Sequence, residues 1–275
     1  MFDGITCALA TPFLNNQVHF DSLVRLVNYQ KDNGVNNFLV CGTTGEAPLL
    51  TEREKDDVVR CVKDSAFEHV LLGVESPSTW ECLKQMELVC KYNLDGVVVV
   101  GPYFSKGTHE GVIEHFLTLA NEGIKLYLYN VPTRTSFDIS PSIVKELAKR
   151  PNIVGIKEAS GDLVRAMEYT RLKNFDLLGG VDELTSIFKS IGAKGMISAL
   201  CNSFPRWAKE LWQGKTILAW QKACEVAFCE TNPVVIKYML KRLDVFVSDE
   251  CRTPLSKATA QNRKKVDKLF KEIGF

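Results

Sequence analysis

Asp95-Gly-Val-Val-Val-Val-Gly-Pro102 is the stretch from which the fold is read. Its four consecutive valines are β-branched and bounded by glycine and proline, and the run is short for a helix. It shows no alternation of polar and apolar residues, so it fits a strand covered on both faces, as in a parallel sheet flanked by helices. Seven further short apolar runs occur: Gly4–Phe13, Asn37–Gly42, His69–Val74, Lys125–Pro132, Asn152–Ala159, Phe175–Val181 and Gly195–Leu200. Between them lie longer amphipathic segments, among them Phe20–Asn33, Thr51–Phe67, Thr79–Tyr92, Thr108–Glu122 and Ser140–Lys149. Leu23, Leu26, Val27 and Gln30 show the helical spacing in the first. Start signals agree: Asp21 ahead of one helix, Thr51 with Glu54 three residues on, and Ser140-Pro141 ahead of another.

Eight strands, each followed by a helix and spaced roughly 20–35 residues apart, point to an α/β chain with its parallel sheet closed as a (β/α)₈ barrel. An open doubly wound sheet is the rival. It normally carries a Gly-rich turn after the first strand, where this chain has Ala10-Thr-Pro-Phe-Leu14. After Leu200 no convincing strand remains, and Trp207–Trp220, Lys222–Glu230 and Val234–Leu243 read as helices. The expected organisation is a barrel over residues 1–215 with a C-terminal helical region, residues 216–275, packed on it. No Ser/Gly/Pro-rich linker, low-complexity segment or repeat beyond the βα unit interrupts the chain.

The composition narrows the function classes. The 275 residues carry 34 Lys plus Arg against 33 Asp plus Glu, a formal net charge of +1. That balance argues against a nucleic-acid or anionic-membrane surface. No apolar run approaches the roughly 20 residues of a membrane helix, and Met1-Phe-Asp-Gly-Ile-Thr6 lacks the basic region of a signal peptide. The nine cysteines form no CxxC pair. Cys7, Cys41, Cys61, Cys82 and Cys90 lie in apolar periodic segments and read as reduced core residues of a cytoplasmic protein. Four scattered histidines show no ligand spacing, which argues against a dedicated metal site.

In a barrel the chemistry sits at the C-terminal ends of the strands. Lys157 is the most informative residue there. In Ile153-Val-Gly-Ile-Lys-Glu-Ala159, alternation separates Val154 and Ile156 from Ile153, Gly155 and Lys157. If the branched pair faces the helices, Lys157 points into the barrel. Burial disfavours its charged form, which frees the amine as a Schiff-base nucleophile. A structural salt bridge is the equally weighted alternative. Tyr127 and Tyr129 share a strand face, and a tyrosine beside such a lysine can shuttle a proton to a carbinolamine; core aromatics are the plainer reading. Thr43-Thr44, between Gly42 and Gly45, offers hydroxyls and approachable N–H groups for a carboxylate. Arg134 can clamp a second carboxylate in bidentate fashion, although a lone loop arginine is more often simply solvated. Gly179-Gly180, with Gly192 and Gly195, hints at a barrel phosphate site, but Asp182 and Glu183 would repel a phosphate.

Taken together, Gly42-Thr-Thr-Gly-Glu46, Tyr129-Asn-Val-Pro-Thr-Arg-Thr135 and Gly155-Ile-Lys-Glu-Ala-Ser-Gly-Asp162 resemble the dihydrodipicolinate (4-hydroxy-tetrahydrodipicolinate) synthase family, among the pyruvate-dependent class I aldolases that include N-acetylneuraminate lyase. The likeness runs from Gly4 to about Arg252 and includes Asn232-Pro-Val-Val-Ile-Lys237 and Arg252-Thr-Pro-Leu255. It implies a (β/α)₈ barrel, self-associating as a dimer or tetramer, that condenses pyruvate with aspartate 4-semialdehyde in lysine and diaminopimelate biosynthesis. It implies Lys157 as the Schiff-base lysine, Tyr129 as proton donor and acceptor, and Thr43 as its relay partner. Thr44 would hold the pyruvate carboxylate, Gly180 and Ile197 would supply main-chain contacts, and Arg134 would bind the semialdehyde carboxylate. No resident cofactor and no metal are implied, the covalent Schiff base being formed with the substrate.

Two departures from the family pattern carry expectations. The family's Pro-Tyr-Tyr stands here as Pro102-Tyr103-Phe104, so Phe104 occupies the relay position without a hydroxyl. The Gly-Ala-Gly-Ala-Asn segment stands here as Gly73-Val-Glu-Ser-Pro77. Pro77 in place of the asparagine, with Glu75 nearby, predicts weak inhibition by free lysine, although Glu81 aligns with a lysine-contacting glutamate. Two rivals remain: a sister aldolase acting on a sugar-derived 2-keto acid, and a catalytically weak barrel with a binding role. Arg134 favours the synthase over the first, and Lys157, Tyr129 and Thr43 together speak against the second.

Overall fold

The computed structural model describes residues 3–65 and 69–274. Among them eight strands pair in parallel: β1 (Gly4–Ala8), β2 (Asn37–Val40), β3 (His69–Val74), β4 (Gly96–Val100), β5 (Leu126–Asn130), β6 (Ile153–Glu158), β7 (Asp176–Gly179) and β8 (Gly195–Ser198). Their order, β1-β8-β7-β6-β5-β4-β3-β2, closes into a barrel. The open-sheet alternative is excluded. Each predicted run contains its strand. All five residues of β4 are buried, as a strand covered on both faces requires. The first run divides: β1 ends at Ala8, and Phe13 belongs to a two-stranded antiparallel ribbon, Phe13–Leu14 with Gln17–Val18.

The helices are α1 (Phe20–Asp32), α2 (Glu52–Asp64), α3 (Thr79–Tyr92), α4 (His109–Ala120), α5 (Pro132–Thr135), α6 (Pro141–Leu147), α7 (Leu163–Tyr169), α8 (Thr185–Ser190), α9 (Pro205–Trp212), α10 (Trp220–Ala227), α11 (Val234–Arg242) and α12 (Ala260–Ile273). Thr51 and Glu54 form the expected capping box of α2, and Ser140 caps α6 with Pro141 in its first turn. Phe67, at the far end of the predicted Thr51–Phe67 helix, and the Met1-Phe2 start lie outside the described residues.

Three expectations are corrected and one is extended. Asp21 is inside the first turn of α1; the cap is His19, whose ring Nδ1 accepts from the Ser22 N–H at 3.2 Å. The helix expected over Trp207–Trp220 breaks after Trp212, where Gly214 adopts φ +90°. Within the expected C-terminal helical region a further helix, α12, follows the three whose bounds are read from the sequence, with Val266, Leu269 and Phe270 buried at helical spacing. Cys7, Cys41 and Cys82 are buried free thiols as expected, but Cys61 is only half-buried and Cys90 is exposed. No helix among the described residues is long and apolar enough to cross a membrane.

The chain forms two compact units, Met1–Gly4 with His69–Ile197 and Ile5–Glu68 with Ser198–Phe275. In the first, β3 to β8 run consecutively, each pair in parallel register. In the second, β1 pairs with β2, and the buried Asn202 side chain donates to Ala8 O at 2.7 Å and accepts from Ala10 N at 3.0 Å. One amide thus satisfies two backbone groups where the β1 ladder ends.

Candidate active site

In the unit containing His69–Ile197, strand register sets the site. Tyr129 on β5 is the register partner of Lys157 on β6. Lys157 is only 6% exposed, and its Nζ lies 4.1 Å from the centroid of the Tyr129 ring. The expected alternation holds: a β-carbon on Gly155 would come 2.9 Å from the Tyr127 ring, so Tyr127, Tyr129, Gly155 and Lys157 share one face. Glycine at 155 makes room for that ring. The two tyrosines part company at their hydroxyls. Tyr127 donates to Asp176 at 3.4 Å, at the start of β7, and burial followed by the Asp176 charge pushes its pKa up. Tyr127 is therefore a core aromatic, and Tyr129 is the tyrosine beside the lysine.

Gly180 follows β7, and its N–H donates to Glu158 O at 2.8 Å. A β-carbon there would lie 2.8 Å from Ala159 Cβ and 3.2 Å from Lys157 Cε, so only glycine lets the backbone pass this close to the lysine. Gly179 is needed for a different reason: a β-carbon on it would run into Phe188 at 2.7 Å. These glycines serve close packing, the opposite of an open phosphate cradle. Ile197 is buried on β8. Arg134 is exposed on the short helix α5, which starts two residues after β5 ends.

Phe104 follows β4 and is 91% exposed. Its φ is +65°, and Ser105 N donates to Tyr103 O at 2.7 Å across it, closing a three-residue turn. The segment is therefore not extended here, and strand alternation does not govern Tyr103 and Phe104.

The unit of Ile5–Glu68 and Ser198–Phe275 carries the threonine pair. Thr43–Gly45 is a single 3₁₀ turn directly after β2, with Thr44 buried. The Thr44 hydroxyl accepts from Asn232 Nδ2 at 2.9 Å. Glu46 ends the turn in the left-handed region, φ +54°, and its carboxylate is fully buried. That carboxylate pairs with Lys237 of α11 and accepts from the Arg252 N–H at 3.0 Å. Lys237 also donates to Glu250 O at 2.8 Å and sits 4.0 Å from the Phe13 ring centroid. Burial pulls the Lys237 ammonium pKa down, and Glu46 opposes that pull. Arg252 in turn makes a charge-assisted pair with Glu54, and this pairing holds the Glu54 carboxyl at about 2. The Asn232–Lys237 and Arg252–Leu255 stretches thus meet on the Thr43–Glu46 turn. In the sequence Asn232, Glu46 and Lys237 carry only a family likeness, because their separation along the chain hides these contacts. Among the described residues no group of three His, Cys, Asp or Glu side chains is placed to hold a metal.

Fold and placement together define a (β/α)₈ barrel with a buried lysine set against a tyrosine at adjoining strand ends. The chain belongs to the Dihydrodipicolinate synthetase family, which matches it over residues 1–273. It is 37% identical to the 4-hydroxy-tetrahydrodipicolinate synthase of Geobacter metallireducens over 287 residues, 99% of each chain. Among solved structures it resembles the dihydrodipicolinate synthase of Thermotoga maritima, with a TM-score of 0.92 and 32% identity over 100% of this chain and 99% of that one. It also resembles the chloride-inhibited enzyme of Acinetobacter baumannii, which was solved complexed with pyruvate, with a TM-score of 0.93 and 30% identity over 100% and 99% of the two chains.

Proposed function

We propose that this chain is a lyase that condenses pyruvate with L-aspartate 4-semialdehyde to 4-hydroxy-tetrahydrodipicolinate, in lysine and diaminopimelate biosynthesis in the cytoplasm. The observation that carries this reading is the Lys157–Tyr129 pair, with Nζ 4.1 Å from the ring. Lys157 attacks C2 of pyruvate, and Tyr129 delivers a proton to the former carbonyl oxygen. Water leaves, and the protonated imine draws electrons from C3. Loss of a C3 proton gives the enamine, whose C3 attacks the aldehyde carbon. The semialdehyde amine then adds to C2, closing the ring and expelling the Lys157 amine. Gly180 and Ile197 are proposed to offer main-chain contacts, Thr44 to bind the pyruvate carboxylate and Thr43 to relay the proton. These roles rest on family membership. Borohydride added with pyruvate tests the reading: a digest should show the reduced adduct on Lys157. An adduct on another lysine, or none, would sink it.

Arg134 is proposed to hold the semialdehyde carboxylate. Arg134→Ala should cost about 1.5–3 kcal/mol of that interaction. In steady-state kinetics KM for the semialdehyde should therefore rise much more than KM for pyruvate. Equal effects on both would assign Arg134 a structural role.

Phe104 is proposed to occupy the relay position at the contact with a second copy of the chain, in a dimer or tetramer, without the hydroxyl that would complete the relay. A phenyl ring can neither donate nor accept a proton, and a missing acid–base group typically costs about 10²–10⁴-fold, part of it recovered through water. Phe104→Tyr should raise kcat and leave the pyruvate KM nearly unchanged. An unaltered or lower kcat would mean that this relay is built from other groups.

A further inference from the structure

Directly beyond the Tyr129–Lys157 pair, the same two strands place a second pair in register, Asn130 with Glu158. Alternation turns these to the opposite face, and both are fully buried. Asn130 Nδ2 lies 3.3 and 3.2 Å from the two Glu158 carboxylate oxygens and donates to Asp138 Oδ1 at 2.9 Å. Asn130 Oδ1 accepts from Ile139 N at 3.0 Å. Glu158 Oε1 accepts from Ser160 N at 2.7 Å. Asp138 is gripped in bidentate fashion by Arg165, at 2.5 and 2.8 Å. Every polar atom of Asn130 and Glu158 is thus used, and the partners come from β5, β6, α7 and the segment after α5.

A carboxylate is a costly choice for such a place. Apolar residues of similar volume would fill it without the penalty of burying a charge. Burial pushes the Glu158 carboxyl pKa up, against hydrogen bonds from Ser160 and Asn130 that favour the ionised form. What the carboxylate supplies that an apolar side chain cannot is directional: a slip of β5 against β6 breaks its bonds. Displacement of reacting groups by about 1 Å can cost about 10²-fold in rate.

We propose that Asn130 and Glu158 are positioning residues whose clasp fixes the ends of β5 and β6, holding Tyr129 and Lys157 in their working register. The Asp138–Arg165 pair extends the clasp to the segment that follows Arg134. This rests on the proposed imine chemistry. Glu158→Gln keeps the shape but removes an acceptor, setting an amide donor against the Asn130 amide or the Ser160 N–H.

The test is timed borohydride trapping of the pyruvate imine, with kcat, KM and thermal melting measured in parallel. In folded Glu158→Gln, imine formation and kcat should fall about 10–100-fold while the pyruvate KM changes less than about threefold. A folded Glu158→Gln that forms the imine at the wild-type rate overturns the proposal. Should Glu158→Gln not fold, Asp138→Asn loosens the clasp from its exposed end. It should slow imine formation about three- to tenfold at unchanged melting temperature, and an unchanged rate overturns the proposal. A wild-type protein that forms no adduct removes the reaction reading and this proposal with it. A normal wild-type adduct with indifferent variants removes this proposal alone.

Discussion

Lys157→Ala is expected to abolish the pyruvate adduct and to lower kcat/KM by about 10⁴-fold or more, while melting at or above the wild-type temperature. The two halves of that result have separate causes. The amine is the only group proposed to form the bond to C2, and neither Tyr129 nor Gly180 can replace it. Stability should move the other way, because an amine enclosed at 6% exposure beside an aromatic ring has lost most of its hydration. Truncation relieves that cost at the end of a strand. Kinetics with mass spectrometry measures the first half, and calorimetric melting the second. A large drop in melting temperature would make Lys157 a structural ion-pair partner, the alternative weighed from the sequence.

Lys237→Met should destabilise the protein by about 3–5 kcal/mol, the usual cost of leaving half of a buried ion pair unmatched. At about 2–4 °C per kcal/mol for chains of this size, melting should fall by about 10 °C. Lys237 and Glu46 are both wholly buried, so solvent cannot take over the orphaned carboxylate. The double variant Glu46→Gln with Lys237→Met should recover most of the loss, since the neutral amide still accepts from the Arg252 N–H. Unfolding curves of the two variants decide it. Equal losses in both would mean that Lys237 acts by packing on Phe13 and not through its charge.

The strands were legible because burial on both faces leaves an uninterrupted apolar run, and no other local structure of that length needs one. The placement of Lys157 and Tyr129 was legible because alternation along a strand sets which face each side chain takes. Asn130 and Glu158 follow them by one position and read as the ordinary polar ends of strands; only register and burial reveal the clasp. Glu46 and Lys237 lie too far apart in sequence for local pattern to join them. The break at Gly214 was readable, since glycine is the residue that takes positive φ, but apolar spacing on both sides suggested continuity. In α12 the basic residues around the buried positions, Arg263, Lys264, Lys265, Lys268 and Lys271, diluted the signal. Cys90 falls at helical spacing from Met86 yet is exposed, because Val89, three residues on from Met86, takes the buried position in that turn of α3.

The division of the chain into compact units bears on how it emerges from a ribosome. Ile5–Glu68 is made first, but the segment it packs with begins only at Ser198. At about 5–20 residues per second, the paired strands β1 and β2 wait on the order of ten seconds for the rest of their unit. His69–Ile197 is contiguous and can organise in that interval. The Asn202 side chain, which closes the end of β1, arrives with the late segment. Until then the apolar faces of this strand pair lack their cover, so nascent-chain stalling short of residue 198 should leave a species that chaperones bind and that aggregates without them.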